Sequence, residues 1–301
     1  MKAETQFVKS NLGLVCITNS DAVRYKTVTR KRLLSFDEAT QREMLRALYQ
    51  ENINRVNSAI DFCKSNGINL YRLTSGLFPF ADEQIGKDVL EGFVAQLAET
   101  GRKANENKLR IVMHPDQFVV LSSDSENVIE NSVKILRMHA KTLDLLQQPR
   151  SEWTVMNIHG GKGDRIDKLV DSIEKLPDEI RSRLALENDE YTYSSKQILE
   201  VCRRARIPMV FDAHHHICSE KLDDYNHESV TETFWAARET WKNPTNQIVH
   251  ISNGRDYFQD RAHHDLIFDM PDVFRFAPWI EIEAKHKEIA IARLQNEWLR
   301  I

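Results

Sequence analysis

Eight short runs rich in Val, Ile, Leu and aromatic residues recur along the chain, at positions 12–17, 68–74, 109–114, 153–159, 183–187, 208–212, 247–251 and 279–283. Each has the length of a β-strand. Longer stretches with apolar residues every three or four positions lie between them. Residues 127–146 place Val128, Ile129, Val133, Ile135, Leu136 and Leu143 on a helical stripe, and Ser123 with Glu126 has the spacing of a capping box. Residues 195–206 offer Ile198, Leu199 and Cys202 and stop before Pro208, and 42–63 and 89–104 show the same spacing. Eight strands alternating with helices over 301 residues predict an α/β fold, a closed (β/α)8 TIM barrel forming one domain over 1–301. Gly13 after the first run stands alone, and neither G-x-G-x-x-G nor a Walker sequence occurs, which removes support for an open nucleotide-binding sheet. No internal repeat or Pro/Gly-rich linker divides the chain.

Composition narrows the class. With 41% hydrophobic and 29% charged residues, the chain resembles an ordinary globular protein and not a disordered one. Cys16, Cys63, Cys202 and Cys218 are far apart and form no C-x-x-C pair. A disulfide framework or a thiolate zinc site is not expected, and a cytoplasmic setting fits. The first residues are polar, so no signal peptide is expected. No run of 18 apolar residues suggests a membrane partner. A net charge of −4 lacks the basic footprint of most nucleic-acid binders. Any DNA contact must therefore be local, and Arg24, Lys26, Arg30, Lys31 and Arg32 cluster with no acid among them. By themselves these five read equally well as a solvated loop.

The chemistry lies in where the polar residues fall. The third run ends in His114, the fourth in His159 and the fifth in Glu187. The sixth ends in Asp212, followed by His214, His215 and His216; the seventh carries His250, and the eighth Glu281 and Glu283. In a barrel these strand ends meet on one face, where active sites sit. Carboxylates and imidazoles brought so close repel or lose solvation unless a cation compensates. A donor set without thiolate suits zinc, manganese or iron, and two or three such ions suit phosphodiester cleavage. Each residue alone has a plainer explanation: a hydrogen-bonded structural histidine, a solvated glutamate, a surface loop for the histidine run. Strand alternation puts His214 on the side of Asp212 and His215 on the other, but that parity lapses beyond the strand and leaves the choice open.

Several segments, in order and over nearly the whole chain, resemble UV damage endonucleases: Leu12-Gly13-Leu14-Val15-Cys16, Tyr71-Arg72-Leu73 through Phe78-Pro79-Phe80, Met113-His114-Pro115-Asp116-Gln117-Phe118, Ile158-His159-Gly160-Gly161, Leu184-Ala185-Leu186-Glu187-Asn188-Asp189, Asp212 through His216, and Ile282-Glu283-Ala284-Lys285. The resemblance implies a TIM barrel related to endonuclease IV, acting as a monomer on double-stranded DNA containing UV lesions. It implies incision immediately 5′ to photoproducts, and at abasic sites, leaving a 3′-hydroxyl. Up to three divalent ions are implied, manganese foremost and zinc as the alternative. Carried onto this sequence, His114, His159 and Glu187 hold one ion, and Glu187, Asp212, His250 and Glu283 a second bridged by Glu187. His215 and His264 flank a third. The family's Asp-x-x-His spacing favours His215 over His214, and His263 competes with His264. Glu187, His114 and Glu283 are the expected catalytic residues. Gln117 and Phe118 match residues that enter the duplex at the lesion, although Phe118 also reads as barrel-top core. Arg24, Lys26, Arg30 and Lys285 are expected on DNA. The sequence departs from some members at Leu14, Gly76 and Ile248. The rival readings are an abasic-site endonuclease, a xylose-isomerase-like sugar isomerase or epimerase, and a silent damage-binding protein. A small sugar leaves Gln117-Phe118 and the basic cluster without a use.

Overall fold

A computed structural model describes residues 9–116 and 118–300. Eight parallel strands, β1 (Asn11–Val15), β2 (Leu70–Leu73), β3 (Arg110–Met113), β4 (Met156–His159), β5 (Leu184–Glu187), β6 (Met209–Asp212), β7 (Ile248–Ile251) and β8 (Trp279–Ile282), close in sequence order into a barrel, with β8 pairing β1. This is the predicted (β/α)8 architecture. Each strand is shorter than its apolar run, and His114 and Glu283 lie one residue beyond β3 and β8.

The register determines what fills the barrel. Gly13 aligns with Glu281, Leu70 with Arg110, Arg72 with Val112, Asn157 with Ala185, His159 with Glu187, Asp212 with His250, and His250 with Glu281. Residues paired across a ladder share a face, and alternate residues of a strand share it too, so these positions form the inner wall. Its N-terminal layer is apolar: Leu70, Val112, Val155, Ala185, Val210 and Ile248 pack with Trp241 and Trp279. Its C-terminal layer is polar: Arg72, Asn157, His159, Glu187, Asp212, His250 and Glu281. The outward residues, Leu14, Tyr71, Ile111, Ile158, Leu186, Phe211, Val249 and Ile280 among them, join the larger core beneath the helices. Gly13 permits the floor to close, because a Cβ there would stand 2.7 Å from Leu70 Cδ2.

The helices follow the predicted stripes with three corrections. The stretch at 89–104 is two helices, Gln84–Glu91 and Val94–Glu106. The chain bends at Gly92, and Phe93 turns inward to within 6.3 Å of the Tyr49 ring. Helix Glu126–Leu145 starts at Ser125 with no side-chain cap. Ser123 Oγ accepts the Ser125 N–H at 3.2 Å, so the expected capping box does not form. A true box opens helix Ser195–Ala205, where Ser194 and Gln197 cap one another. The histidine run is helical and not a loop: Asp212 Oδ1 accepts the His215 N–H at 2.8 Å and caps Ala213–Glu220. Among the described residues, no helix is long and apolar enough to cross a membrane.

Candidate metal centre

The C-terminal ends of six strands deliver the predicted residues to one place. Three groups have ligand atoms within 4.8 Å of one another: His114, His159 and Glu187; Glu187, Asp212 and His215; and His250, Glu281 and Glu283. Glu187 is the hub. Its Oε2 accepts from His114 Nε2 at 3.1 Å and from Asn157 Nδ2, and its Oε1 accepts from His250 Nδ1 at 3.0 Å. Burial alone would raise its pKa, but His250 and His159, with the hydrogen bonds from His114 and His250, hold the carboxylate well below the usual range.

The second group turns on the helix that Asp212 caps. Its first turn points His215 inward, with Nδ1 donating to Asn188 O at 2.9 Å and lying 3.6 Å from Glu187 Oε1. Burial opposes a charge on His215, yet Asp212, Glu187 and Glu190 raise its pKa to about 9. The same turn sends His214 to Tyr225 and Asp260, and His216 to Ser195 and Ser229. Helical geometry thus settles the choice that strand parity left open.

In the third group His250 lies between Glu187 and Glu281, its Nε2 donating to Glu281 Oε2 at 2.6 Å. Burial disfavours its charge, but the two carboxylates lift its pKa well above normal. Arg72, on the neighbouring inner wall, reaches Glu281 at 3.1 Å and Glu283 at 2.7 Å. Glu283 is held far below its ordinary value by Arg72 and His250, against its burial.

Among the described residues, several buried polar atoms in this layer have no hydrogen-bond partner: His159 Nδ1, Asp212 Oδ2, Asn157 Oδ1, Glu281 Oε1 and Arg72 Nε. A buried polar atom without a hydrogen bond is costly. Two of these, an imidazole nitrogen and a carboxylate oxygen, belong to residues of the first two groups and are ordinary metal donors. The cluster floors two adjoining clefts of about 350 and 450 Å³, which share His114, Asp116, His159 and His215.

Other predicted residues sit elsewhere. His264 is turned from the cluster, its ring set edge-on to Phe268 with centroids 4.8 Å apart and its Nδ1 accepting from the Leu266 N–H. His263 is the nearer of the pair, with Nδ1 donating to Glu283 O at 2.7 Å and 4.0 Å from Glu283 Oε2. Gln117 lies outside the described residues. Phe118 is 69% exposed on the loop after β3, which overturns the core alternative for it. Arg24, Lys26 and Arg30 lie beyond β1, on the same end of the barrel as the cluster. The Arg24 guanidinium is committed to the carbonyls of Thr18, Val23 and Asn19, and Arg30 pairs with Glu83 over the Phe80 ring. Lys26 and Lys285 are exposed. Leu14 is fully buried on the outer face, and Ile248 lies one layer below His250.

Arg72 and Asn157 belong to the cluster although the strand-end pattern did not name them, and Glu281, which it named beside Glu283, belongs to it although it was not among the expected ligands. A signal was present. Arg72 interrupts the otherwise apolar strand Leu70–Leu73, and Asn157 and Glu281 stand two residues before His159 and Glu283, the spacing that repeats a face.

Comparison with known proteins agrees with this geometry. The family described as UV-endonuclease UvdE matches residues 10–301. A UV DNA damage endonuclease of Nostoc sp. is 53% identical over 290 residues, 96% of this chain and 90% of that protein. One from Deinococcus radiodurans is 44% identical over 287 residues, 94% of each. The crystal structure of SacUVDE superposes with a TM-score of 0.80 at 26% identity, covering 94% of this chain and 96% of that one. The chain therefore belongs to the UV-endonuclease UvdE family and is a nuclease of that kind.

Proposed function

We propose that this protein nicks duplex DNA immediately 5′ to UV photoproducts, leaving a 3′-hydroxyl, in a reaction that depends on divalent ions at the C-terminal mouth of the barrel. His114, His159 and Glu187 would hold one ion. Asp212, His250 and Glu283 would hold a second that shares Glu187, with Glu281 a further donor. His215 would serve a third, joined by His263 or His264. The observation that carries this reading is the pair of orphaned donors, His159 Nδ1 and Asp212 Oδ2, within a convergent set of imidazoles and carboxylates. That donor set suits manganese, zinc or iron over calcium. Such ions, when bound, supply a water activated near neutral pH and neutralise charge at the scissile phosphate.

The protein's own groups divide the remaining work. Asn157 orients Glu187 through its Oε2, and Arg72 ties down both glutamates of the β8 end. Phe118 presents an exposed ring beside the cleft, where it can stack on a base whose pairing has been opened. Gln117 next to it offers an amide to an orphaned base. Lys26 and Lys285, both exposed, meet phosphates away from the cut, which positions the duplex without reading its sequence. The protein acts as a monomer.

The test uses chelator-treated protein reloaded with manganese or magnesium and given UV-irradiated, abasic and intact duplexes, with the nick mapped on a sequencing gel. Manganese should restore cutting beside photoproducts and magnesium less. Full activity after exhaustive chelation, checked by elemental analysis, defeats the metal dependence. Cutting confined to abasic sites supports the abasic-site reading instead.

A further inference from the structure

The loop that follows β7, residues 253–269, is long and carries no regular element beyond one bridge, yet it is pinned from beneath by three buried polar side chains outside the cluster. Asn253 Oδ1 accepts the N–H groups of Phe268 and Asp269 at 2.6 and 3.0 Å, and its backbone oxygen accepts the His264 N–H at 2.8 Å. Its Nδ2 reaches Asp269 O at 3.0 Å and the Tyr225 hydroxyl at 3.1 Å. That hydroxyl stands 2.6 Å from His214 Nδ1 and 2.8 Å from Ser252 O. His214 Nε2 in turn meets Asp260 O, near the loop's tip, at 2.8 Å. His214 and Tyr225 are 0% and 3% exposed. Gly254 pairs with His263, and a Cβ at Gly254 would lie 2.1 Å from Tyr257 O, so the tight return needs a residue without a side chain there.

What the loop holds explains why it is pinned. On one side His263 donates to Glu283 O beside β8. On the other, Arg261 bonds Glu190 at 2.6 Å and lies 3.6 Å over the Tyr191 ring on the loop after β5. Glu190 faces His215 at 3.7 Å. The loop therefore spans the cluster from the β8 side to the β5 side.

We propose that His214, Tyr225 and Asn253 are positioning residues, a buried chain that holds the β7 loop as a preformed hood and so sets His263 and Arg261 against the two sides of the nuclease centre. Its catalytic part rests on the nuclease reading above; its structural part does not. A hood already in place keeps His263 and Arg261 set against the centre once DNA is bound, so loosening it costs rate in the bound complex.

The experiment compares wild type, Tyr225→Phe, His214→Leu and the double variant as full-length, manganese-loaded protein, by amide hydrogen exchange and by steady-state nicking of UV-irradiated duplex. Tyr225→Phe keeps the ring packed on Phe258, 5.1 Å away, and removes only the shared hydroxyl. Exchange across 255–267 should quicken roughly three- to tenfold, the size of one net hydrogen bond, while β5 to β8 keep their wild-type rates. The kcat should fall by a similar factor with KM unchanged. Because both substitutions break one chain, the double variant should loosen the loop less than the product of the single effects. Unchanged exchange in the loop overturns the proposal. So does quickening throughout the barrel, which makes these residues ordinary core, and so does a loosened loop with unchanged kcat. A wild-type protein that fails to nick UV-irradiated duplex defeats the functional reading instead, and the exchange pattern still decides whether the chain holds the loop.

Discussion

At the N-terminal end of the barrel Arg110 is wholly buried and, among the described residues, forms no ion pair. It donates to the carbonyls of Trp153, Asn246 and Glu152 at 2.7, 2.9 and 2.9 Å, and its guanidinium lies 4.8 and 5.0 Å from the Trp153 and Trp279 rings. The indole N–H groups of Trp241 and Trp279 are satisfied by Met209 O and Thr245 O. At the other end Arg72 meets Glu281 and Glu283, and five of the eleven buried polar atoms without a hydrogen-bond partner among the described residues lie in this layer, Arg72 Nε one of them. Both ends bury one arginine on the inner wall. One end closes the barrel with neutral acceptors and rings, and the donors of Arg110, Trp241 and Trp279 are matched there. The other gathers carboxylates and imidazoles whose donors outnumber their partners. A stability plug can be completed by the chain itself, whereas a reaction centre must leave its donors for something the chain does not contain.

The largest expected effect lies at the polar end. Glu187→Ala should lose more than one equivalent of bound manganese by elemental analysis, because the shared carboxylate serves two positions, and should slow nicking by about a thousandfold, which corresponds to ~4 kcal/mol. Loss of one equivalent or less contradicts the bridging role.

The two arginines then give a matched pair. Arg72→Met leaves Glu281 and Glu283 without their cation and should destabilise metal-free protein by about 3–5 kcal/mol, with part of that loss recovered on adding manganese. Arg110→Met leaves buried carbonyls unpaired, at about 1–3 kcal/mol each, and manganese should recover none of it. Denaturant melts of both variants with and without metal measure the contrast. If manganese rescues them equally, the two ends do not differ in the way described.

A smaller effect separates recognition from stability at the same mouth. Phe118→Ala should leave the melting temperature and metal content unchanged, since the ring is 69% exposed. It should weaken binding to UV-damaged duplex by about one to two orders of magnitude, the loss of one stacked base at roughly 1–3 kcal/mol. Affinities for damaged and intact duplex at one salt concentration measure it, and unchanged preference for damage refutes the stacking role.

The smallest effect tests the edge of the cluster. His263→Ala should lower bound metal by at most one equivalent and His264→Ala by none, because only His263 lies against Glu283. The reverse order would return the role to His264.

Much of this was legible in the chain. Eight strand-length apolar runs with helical stripes between them point to a barrel, because strands and helices alternate along the chain. The polar residue closing each run announces the reactive end, since strand ends meet there whatever lies between them. Local spacing was a weaker guide to helix boundaries. Ser123 and Glu126 have the form of a capping box, yet the N-cap is Ser125, and the 89–104 stripe breaks where Phe93 finds Tyr49. Strand parity left open which histidine of 214–216 faces the cluster and the family spacing favoured His215; the tertiary structure supplies the reason, because Asp212 caps a helix there and turns successive side chains by about 100°. It alone brought Arg72 to Glu281 and Glu283 across more than 200 residues of sequence, and it alone set Phe118 in solvent and His263 against Glu283. These outcomes depend on distances between elements remote in the chain, which a periodic pattern along one strand or helix does not carry.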